Sequence, residues 1–241
     1  MNEQEAQQLR EALLTLSRFK GMPQFEWIEE IKVRLEHSFN LKSEENIISF
    51  DENEFLKGRE FIGDLFNAIV NKQTLLIHYK PFKAEENIHL EIHPYHLKQF
   101  NNRWFLFGWN EKEEHISNIA LDRISSFSVS ETQLIPNVEI DFKDFFDDII
   151  GVSIPLNEKP KKILLKVDSE LWPYIQTKPL HGSQKNKEIA KDYTVIELNL
   201  IPNYELEALI LSFGEKIEVL SPDSLRQRII DRIQSLSKRY I

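Results

Sequence analysis

The stretch Arg103-Trp104-Phe105-Leu106-Phe107-Gly108-Trp109 decides the fold of the middle of the chain. Four of its seven residues are aromatic, and an arginine stands at its start. Because successive side chains of a strand point to opposite faces, Trp104 and Leu106 share one face and the other aromatic residues lie on the opposite one. We therefore expect a strand with at least one face in a hydrophobic core.

The residues around this stretch predict a sheet, since the apolar pattern from Thr74 onward alternates with a period of two. Five consecutive strands are predicted, at Thr74–Lys80, Asn87–His93, Arg103–Trp109, His115–Asp122 and Ser125–Thr132. The turns between them are polar. Five short antiparallel strands in about 60 residues indicate a small closed or half-closed barrel, because a flat sheet of that size would leave its edges exposed.

Helices precede the predicted strands. Amphipathic patterns predict three of them, at 3–19, 24–38 and 53–71. Together they are acidic and small, and we expect a helical cap on the next domain or on a second subunit. A connector follows the strands, with a short helix over 141–150 that ends at Gly151.

The last third of the chain predicts a second α+β domain. Its predicted elements are a strand (161–167), a short helix (169–175), a strand or loop (177–183), a strand (192–201), a helix (203–213), a strand (216–220) and a helix (222–240). Asn203 and Ser221 are candidate N-caps, with Pro222 at the first helical position. This order is the ferredoxin-like one.

The sequence therefore predicts an α+β protein of three parts: a helical linker (1–73), a β-barrel with its connector (74–155) and a ferredoxin-like domain (156–241). The net charge of −9 is a poor match for duplex DNA. It is unevenly spread, at −5 over 1–73, −1 over 74–129, −5 over 130–155 and +2 over 156–241.

Composition excludes several classes of site. The chain has no cysteine, so disulfides, thiolate zinc sites, iron–sulfur clusters and cysteine nucleophiles are excluded. No apolar run approaches the roughly 20 residues of a membrane span, and the polar N-terminus shows no signal peptide. These features favour the cytoplasm.

Four separated blocks, in this order, resemble the WYL domain of bacterial transcription regulators. They are Leu75-Leu76-Ile77-His78-Tyr79, His93-Pro94-Tyr95-His96-Leu97, Arg103-Trp104-Phe105-Leu106 and Leu121-Asp122-Arg123-Ile124. The C-terminal part resembles the WCX extension that commonly follows this domain. Its stretch Thr177–Gln184 and the start of the helix at Asn203 are similar to the version found in Bacteroidetes.

The resemblance implies a Sm-like, SH3-type five-stranded barrel that senses an effector, a homodimer, and a winged helix-turn-helix domain that binds DNA. No such reader domain is visible, and the chain begins within what resembles the helical linker. Two departures bear on the ligand. The tyrosine that gives the motif its name is Phe105 here, and Ser117-Asn118 stands where an arginine is frequent.

Arg123 is the main candidate for contact with a phosphate or carboxylate, because a guanidinium presents a fork of donors. The alternative is an ion pair within the fold, with Asp122 or Glu91. Arg103 is a second candidate, although an arginine at a strand end is commonly solvated. Trp109 is the candidate platform for stacking a base.

Histidines supply the remaining candidates. His93 is expected beside the pocket or partly in the core, where Tyr79 is a possible partner. His89 and His93 would lie about 13 Å apart along a strand, too far apart to share one zinc ion. His181 lies in a polar loop that is fixed either by its own hydrogen bonds or by a dimer partner or effector. We expect no metal and no cofactor.

The resemblance, taken together with these residues, implies the sensing, dimerising portion of a cytoplasmic transcription regulator. Its barrel would bind a small anionic or nucleotide-like effector, or single-stranded nucleic acid. The alternative is a stand-alone Sm-like RNA-binding module. An enzyme is disfavoured because no glycine-rich phosphate loop, metal-ligand spacing or nucleophile motif occurs.

Overall fold

The computed structural model describes residues 2–16, 26–39, 56–82, 84–138, 140–153, 155 and 158–240. The chain forms two compact units, Met1–Asn137 and Val138–Ile241. Both helices and sheets are present, which confirms the α+β class. The predicted division into three parts stays a prediction.

Three helices open the first unit. They are α1 (Glu3–Leu16), α2 (Glu26–Ser38) and α3 (Ile62–Val70), the last preceded by a 3-10 turn at Arg59–Phe61. The first two predicted helices are confirmed over these ranges, and their parts at 17–19 and 24–25 lie outside the described residues. The third was predicted from residue 53, but 56–58 are not helical and the α-helix begins at Ile62; 53–55 lie outside the described residues. Leu13 of α1 packs with Ile28 and Leu35 of α2.

Five antiparallel strands follow in the first unit. They are β1 (Gln73–Tyr79), β2 (Ile88–Phe100), β3 (Arg103–Asn110), β4 (His115–Ala120) and β5 (Ile124–Gln133). The sheet order is β4-β3-β2-β1-β5, in which β5 returns to pair with β1. This is the strand order of an SH3-type barrel. Both edge strands are described in full and no ladder joins them, so the barrel is open.

The second strand is longer than predicted, since it runs past His93 to Phe100. It pairs with β1 up to Ile92 and with β3 from Ile92 onward. Pro94 therefore lies where β2 has one neighbour, at a register shift, and its missing N–H costs no ladder hydrogen bond. The sequence predicted a strand end at His93, because the change of partner along β2 is not visible in the sequence.

A hydrophobic core joins the barrel to α3. Its buried members are Ile62, Leu65, Ala68, Leu75, Ile77, Tyr79, Ile92, Leu106, Ile119, Leu121 and Ile124. Trp104 and Phe127 are half-buried against it. The quoted stretch of β3 thus supplies core residues, as its aromatic content predicts.

The connector carries a helix shorter than predicted, α4 (Phe142–Asp147). The Asp141 side chain caps it by accepting a hydrogen bond from the Lys143 N–H, 2.8 Å away. The helix ends at Asp148, three residues before the Gly151 that predicted its end.

Four antiparallel strands form the sheet of the second unit. They are β6 (Lys161–Asp168), β7 (Lys185–Ile189), β8 (Tyr193–Leu200) and β9 (Ile217–Ser221), in the order β7-β8-β6-β9. The helices are α5 (Trp172–Thr177), α6 (Tyr204–Ser212) and α7 (Asp223–Ser237). Strand–helix–strand–strand–helix–strand is the ferredoxin-like sequence of elements, followed by α7.

Residues 177–183, predicted as a strand or a loop, are the last residue of α5 and a loop, and the second strand lies at Lys185–Ile189. Asn203 caps α6 as predicted, but Ser221 is the last residue of β9. Pro222 occupies the N-cap position of α7, where no side chain caps the helix. In the described part of the chain, no helix is both long enough and apolar enough to cross a membrane.

Candidate functional site

A 3-10 turn at Leu121–Arg123 joins β4 to β5 and carries the main candidate residue. The sequence predicted an extended strand here, and the structure corrects this: the strand ends at Ala120. Leu121 is buried and anchors the turn in the core. The backbone of Gly58, at φ +86°, packs directly on the turn, and a Cβ there would overlap the Leu121 carbonyl. The buried Leu121 side chain and the Gly58 backbone therefore fix the position of the turn.

Arg123 lies between the end of β1 and the loop after it. Its backbone carbonyl accepts a hydrogen bond from the Lys80 N–H, 2.9 Å away. Its guanidinium Nη1 donates to the Tyr79 hydroxyl over 3.4 Å. The guanidinium carbon lies 4.3 Å from the centre of the Phe82 ring, within cation–π distance. The structure thus brings Tyr79 and Arg123 together and adds Phe82, which is 71% exposed.

No carboxylate lies within 4.0 Å of the Arg123 guanidinium among the described residues, and its buried Nε has no hydrogen-bond acceptor there. The expected alternative partners are both engaged elsewhere. Asp122 pairs with Arg103, and Glu91 accepts hydrogen bonds from Ser130 and Thr132. These two hydroxyls lower the pKa of Glu91. Among the described residues, Arg123 is therefore a half-buried cation without a carboxylate close enough to compensate its charge.

Arg103 has a different environment. Its Nη1 lies 3.8 Å from Asp122 Oδ2, and its side chain is 47% exposed while that of Asp122 is 12% exposed. Exposed pairs of this kind contribute little, about 0–1 kcal/mol. Asp122 Oδ1 is buried without a hydrogen-bond partner in the described part of the chain. Arg103 is thus next to the turn but already opposite a negative charge.

His93 is fully buried and fastens a backbone segment. Its Nδ1 accepts a hydrogen bond from the Ile135 N–H at 3.1 Å and lies 3.1 Å from the Thr74 hydroxyl. Tyr95, two residues along β2, donates to the Ile135 carbonyl at 2.7 Å. Because Nδ1 accepts, the ring proton of the neutral histidine is on Nε2, which lies 4.0 Å from the Glu111 carboxylate. The predicted pairing of His93 with Tyr79 is wrong.

Trp109 is half-buried on β3, opposite His93 on β2 and Ile116 on β4. Phe82 is the aromatic residue that contacts Arg123, and the sequence analysis did not single it out. Its signal was available, since Lys80-Pro81-Phe82 directly follows the strand that ends in Tyr79. A role for Trp109 as a stacking platform stays a prediction.

His181 belongs to the second unit. Its Nδ1 accepts a hydrogen bond from the Ser183 N–H at 3.1 Å and lies 3.0 Å from the Ser183 hydroxyl. Burial lowers the pKa of His181, against the opposing effect of Asp147 and Asp148. The loop is thus fixed by its own hydrogen bonds, one of the two alternatives the sequence left open. Contact with a dimer partner or effector stays a prediction.

Two family models match the chain. One, described as the WYL domain, matches residues 60–129, and the other, described as the WCX domain, matches residues 159–237. The first match contains β1 to β4, the 3-10 turn and most of β5, and so includes the Arg123 site. The second covers the ferredoxin-like sheet and its helices.

Similar solved structures share little sequence with this chain. The proteasome accessory factor B/C (PafBC) of Arthrobacter aurescens is 14% identical, with a TM-score of 0.33, over 100% of this chain and 36% of that one. A CRISPR Cas-related protein is 12% identical, with a TM-score of 0.46, over 76% of this chain and 52% of that one. This chain therefore spans about a third to a half of their lengths. A search of curated proteins found no match.

Proposed function

This chain carries a WYL domain followed by a WCX domain, and from that premise we propose that it is the effector-sensing portion of a transcription regulator. In this proposal the barrel binds an anionic effector at the Arg123 turn. The ferredoxin-like domain and the leading helices then carry the response to the rest of the regulator. The barrel does no chemistry on its ligand.

The observation that carries this proposal is the Arg123 guanidinium, which has no carboxylate partner in the part of the chain that the structure describes. A half-buried arginine without a carboxylate partner costs stability, since burial of an unpaired charge is unfavourable. An arriving phosphate or carboxylate would accept charge-assisted hydrogen bonds from it, which are about twice as strong as neutral ones. The site therefore favours an anion.

The neighbours of Arg123 refine the ligand class. Tyr79 offers a hydroxyl, and Phe82 offers an exposed ring next to the guanidinium. A ligand that carries both an anionic group and a flat ring would use all three side chains. Nucleotides and short single-stranded nucleic acids have this chemistry, and aromatic stacking contributes roughly 1–3 kcal/mol per base.

The other predicted site residues have smaller roles in the proposal, each a different one. Arg103 steers anions from the rim, since Asp122 already opposes its charge. His93 is fully buried and makes no contact with the ligand in this proposal, while Trp109, opposite it on β3, keeps its predicted role as a stacking platform. His181 acts in the second unit, toward a dimer partner or effector.

A binding panel tests the proposal. Inorganic phosphate, mononucleotides and short single-stranded oligonucleotides are titrated into the wild-type chain, Arg123→Ala and Arg34→Ala at two salt concentrations. Arg34 is an exposed helical arginine, 80% accessible, so its replacement makes the same change of charge away from the site. We expect binding that weakens with salt, and a loss of at least tenfold for Arg123→Ala alone, on the order of one charge-assisted hydrogen-bonded contact.

Either of two outcomes contradicts the proposal. In the first, no ligand of the panel shows salt-sensitive binding to the wild-type chain. In the second, Arg123→Ala and Arg34→Ala bind as well as the wild type. Circular dichroism of both variants shows whether they are folded.

The proposal also includes a homodimer, and contact with duplex DNA only through a separate reader domain. The acidic balance of the chain supports the second point, because a duplex repels a net charge of −9. A stand-alone Sm-like RNA-binding module is the alternative. It would need a ring assembly and a basic face, and the −1 balance of residues 74–129 argues against it.

A further inference from the structure

The outer face of the barrel holds a pair of histidines that the effector site does not use. His78 on β1 and His89 on β2 are directly opposite in the antiparallel ladder, so both side chains leave the same face of the sheet. Their ring centres are 4.3 Å apart, and the ring planes are inclined by 43°. His78 is half-buried and His89 is exposed, so solvent reaches the pair.

Neither imidazole is engaged in the described part of the chain. With residues 2–16, 26–39, 56–82 and the described ones from 84 onward, neither His78 nor His89 forms a hydrogen bond or ion pair, and their ring contact is with each other. Tyr79 and Ile77, the neighbours of His78 in the chain, point into the core instead. Ring nitrogens that accept nothing and face water are available as ligands.

The spacing of the two rings fits shared coordination. With metal–nitrogen distances of about 2.0–2.1 Å, two imidazoles bound at a right angle to each other have ring centres roughly 4.5 Å apart, and at a tetrahedral angle roughly 5.2 Å. The observed 4.3 Å is close to the right-angle value. A right angle between neighbouring ligands is found in the tetragonal coordination of Cu²⁺ and Ni²⁺.

We propose that His78 and His89 form a two-histidine site for a divalent transition-metal ion, with a preference for Cu²⁺ and Ni²⁺ over Zn²⁺. No group of three or more histidine, aspartate or glutamate side chains in the described residues could hold a metal, so water or a small ligand completes the coordination. Glu91, two residues along β2, is held by two hydroxyls and stays outside the site. No metal was expected from the sequence because His89 and His93 lie too far apart along one strand. The ladder instead places His78, from the neighbouring strand, opposite His89.

Metal titration of a tag-free full chain tests this site. Ni²⁺ is titrated calorimetrically into the wild type, His78→Gln, His89→Gln and His37→Gln, the last an exposed histidine on α2 that lies outside the pair. We expect one strong site per chain, unaffected by His37→Gln. Each of the other two replacements should weaken binding on the order of tenfold or more, because the second ligand acts at a high effective concentration.

Electron paramagnetic resonance of the Cu²⁺ complex gives a second readout, with coupling to two imidazole nitrogens in the wild type and to one in either variant. The proposal is overturned if His89→Gln binds with wild-type affinity, if the wild type shows no site, or if one nitrogen is seen in the wild type. Arg123→Ala should retain the metal site, so failure of the effector proposal is distinguishable from failure of this one.

Discussion

At the scale of the residue, Gly58 determines where Arg123 lies. Its φ of +86° disfavours any residue with a side chain, and a Cβ would lie 2.7 Å from the Asp122 amide nitrogen in addition to overlapping the Leu121 carbonyl. Gly58→Ala should therefore destabilise the first unit by about 2–4 kcal/mol, from backbone strain and overpacking combined. Urea unfolding followed by tryptophan fluorescence measures this change.

Gly182→Ala provides the comparison for Gly58→Ala. A Cβ at Gly182 would meet nothing within 4 Å, and its φ is not in the left-handed region. Its replacement should change the unfolding free energy by less than about 1 kcal/mol. Equal effects of the two substitutions would show that the close packing of Gly58 on the turn is not important for stability.

Phe82 should determine how strongly the Arg123 site prefers anions that carry a flat ring, such as mononucleotides, over inorganic phosphate. Phe82→Leu removes the ring that the guanidinium faces but keeps an apolar side chain. We expect the affinity for mononucleotides to fall roughly fivefold or more, as loss of one stacking contact predicts, and the affinity for inorganic phosphate to change less. Fluorescence or calorimetric titration measures both affinities.

Phe66→Leu is the control for Phe82→Leu, because Phe66 is a similarly exposed phenylalanine on α3. It should leave both affinities unchanged. If Phe82→Leu weakens phosphate and nucleotide binding by the same factor, Phe82 orients Arg123 and does not stack on the ligand.

The sequence allowed Arg123 to be chosen, but its surroundings could not be predicted from it. Whether Asp122 faces Arg123 or Arg103 depends on the direction in which a single turn projects three side chains. A 3-10 turn and a strand differ there by roughly 150° in ψ at each residue, which changes the direction of every side chain. Phe82 was missed because contact across an irregular loop has no periodicity, although its position directly after the strand that ends in Tyr79 is visible in the sequence.

At the scale of the element, the start of α6 depends on Asn203, which is buried. Its side chain accepts a hydrogen bond from the Leu206 N–H at 2.9 Å and donates to the carbonyls of Ile150 and Ser153, both at 2.8 Å. Asn203→Ala should destabilise the second unit by about 2–4 kcal/mol, because it removes the cap and leaves two carbonyls without their donor. Thermal unfolding measures the change.

Two further substitutions separate the contributions of Asn203. Asn203→Asp retains the capping oxygen and lacks the amide donors, so most of the loss should remain. Asp141→Ala removes the cap of the short helix α4, which is exposed, and should cost about 1 kcal/mol or less. If Asn203→Asp is as stable as the wild type, the amide donors to the connector contribute nothing measurable.

The loop that contains His181 should make the stability of the second unit depend on pH. Burial lowers the pKa of His181 from its ordinary 6.5, so the unfolded chain binds a proton at a higher pH than the folded chain. The stabilising contribution is complete above about pH 6.5 and is lost as the pH falls through the lowered pKa. His181→Gln should flatten the stability profile over this range, measured by urea unfolding at several pH values. If the stability of His181→Gln depends on pH as that of the wild type does, His181 is not the source of the pH dependence.

Element types were predictable because apolar periodicity reports burial on a helix or strand face. Strands β1, β3, β6 and β8 follow their predictions closely for this reason. Strand β7 was missed since all five of its residues are exposed, which leaves no alternation of apolar and polar side chains. An edge strand rich in lysine is recognised by its neighbour in the sheet and not by its own sequence.

At the scale of the whole molecule, the assembly distinguishes the proposed regulator from an RNA-binding module. A homodimer has twice the 28.5 kDa mass of the chain, whereas an Sm-like ring requires several more copies. Sedimentation equilibrium should give the dimer mass over a wide concentration range. A mass of a hexamer or larger would favour the ring, and a monomer at all concentrations would contradict the proposed dimer.

The order of the domains was predictable from the sequence because four motif blocks and a ferredoxin-like succession of elements occur one after the other. The sequence did not predict the residue at which the two compact units separate. The compact units separate after Asn137, inside a segment that was expected to belong wholly to the connector. Contacts made by individual backbone groups determine such a divide, and composition does not report them.

The two hydrogen bonds between β2 side chains and the Ile135 backbone have a mechanical consequence. Both backbone polar groups of Ile135 are held by side chains of β2, the N–H by His93 and the carbonyl by Tyr95, two residues before the first unit ends. Force applied to the chain after Asn137 therefore acts first on these two hydrogen bonds, which share the load. They lie on the middle strand of the sheet and not on the edge strand β5. Tension reaches the pairing of β5 with β1 only after these two hydrogen bonds break.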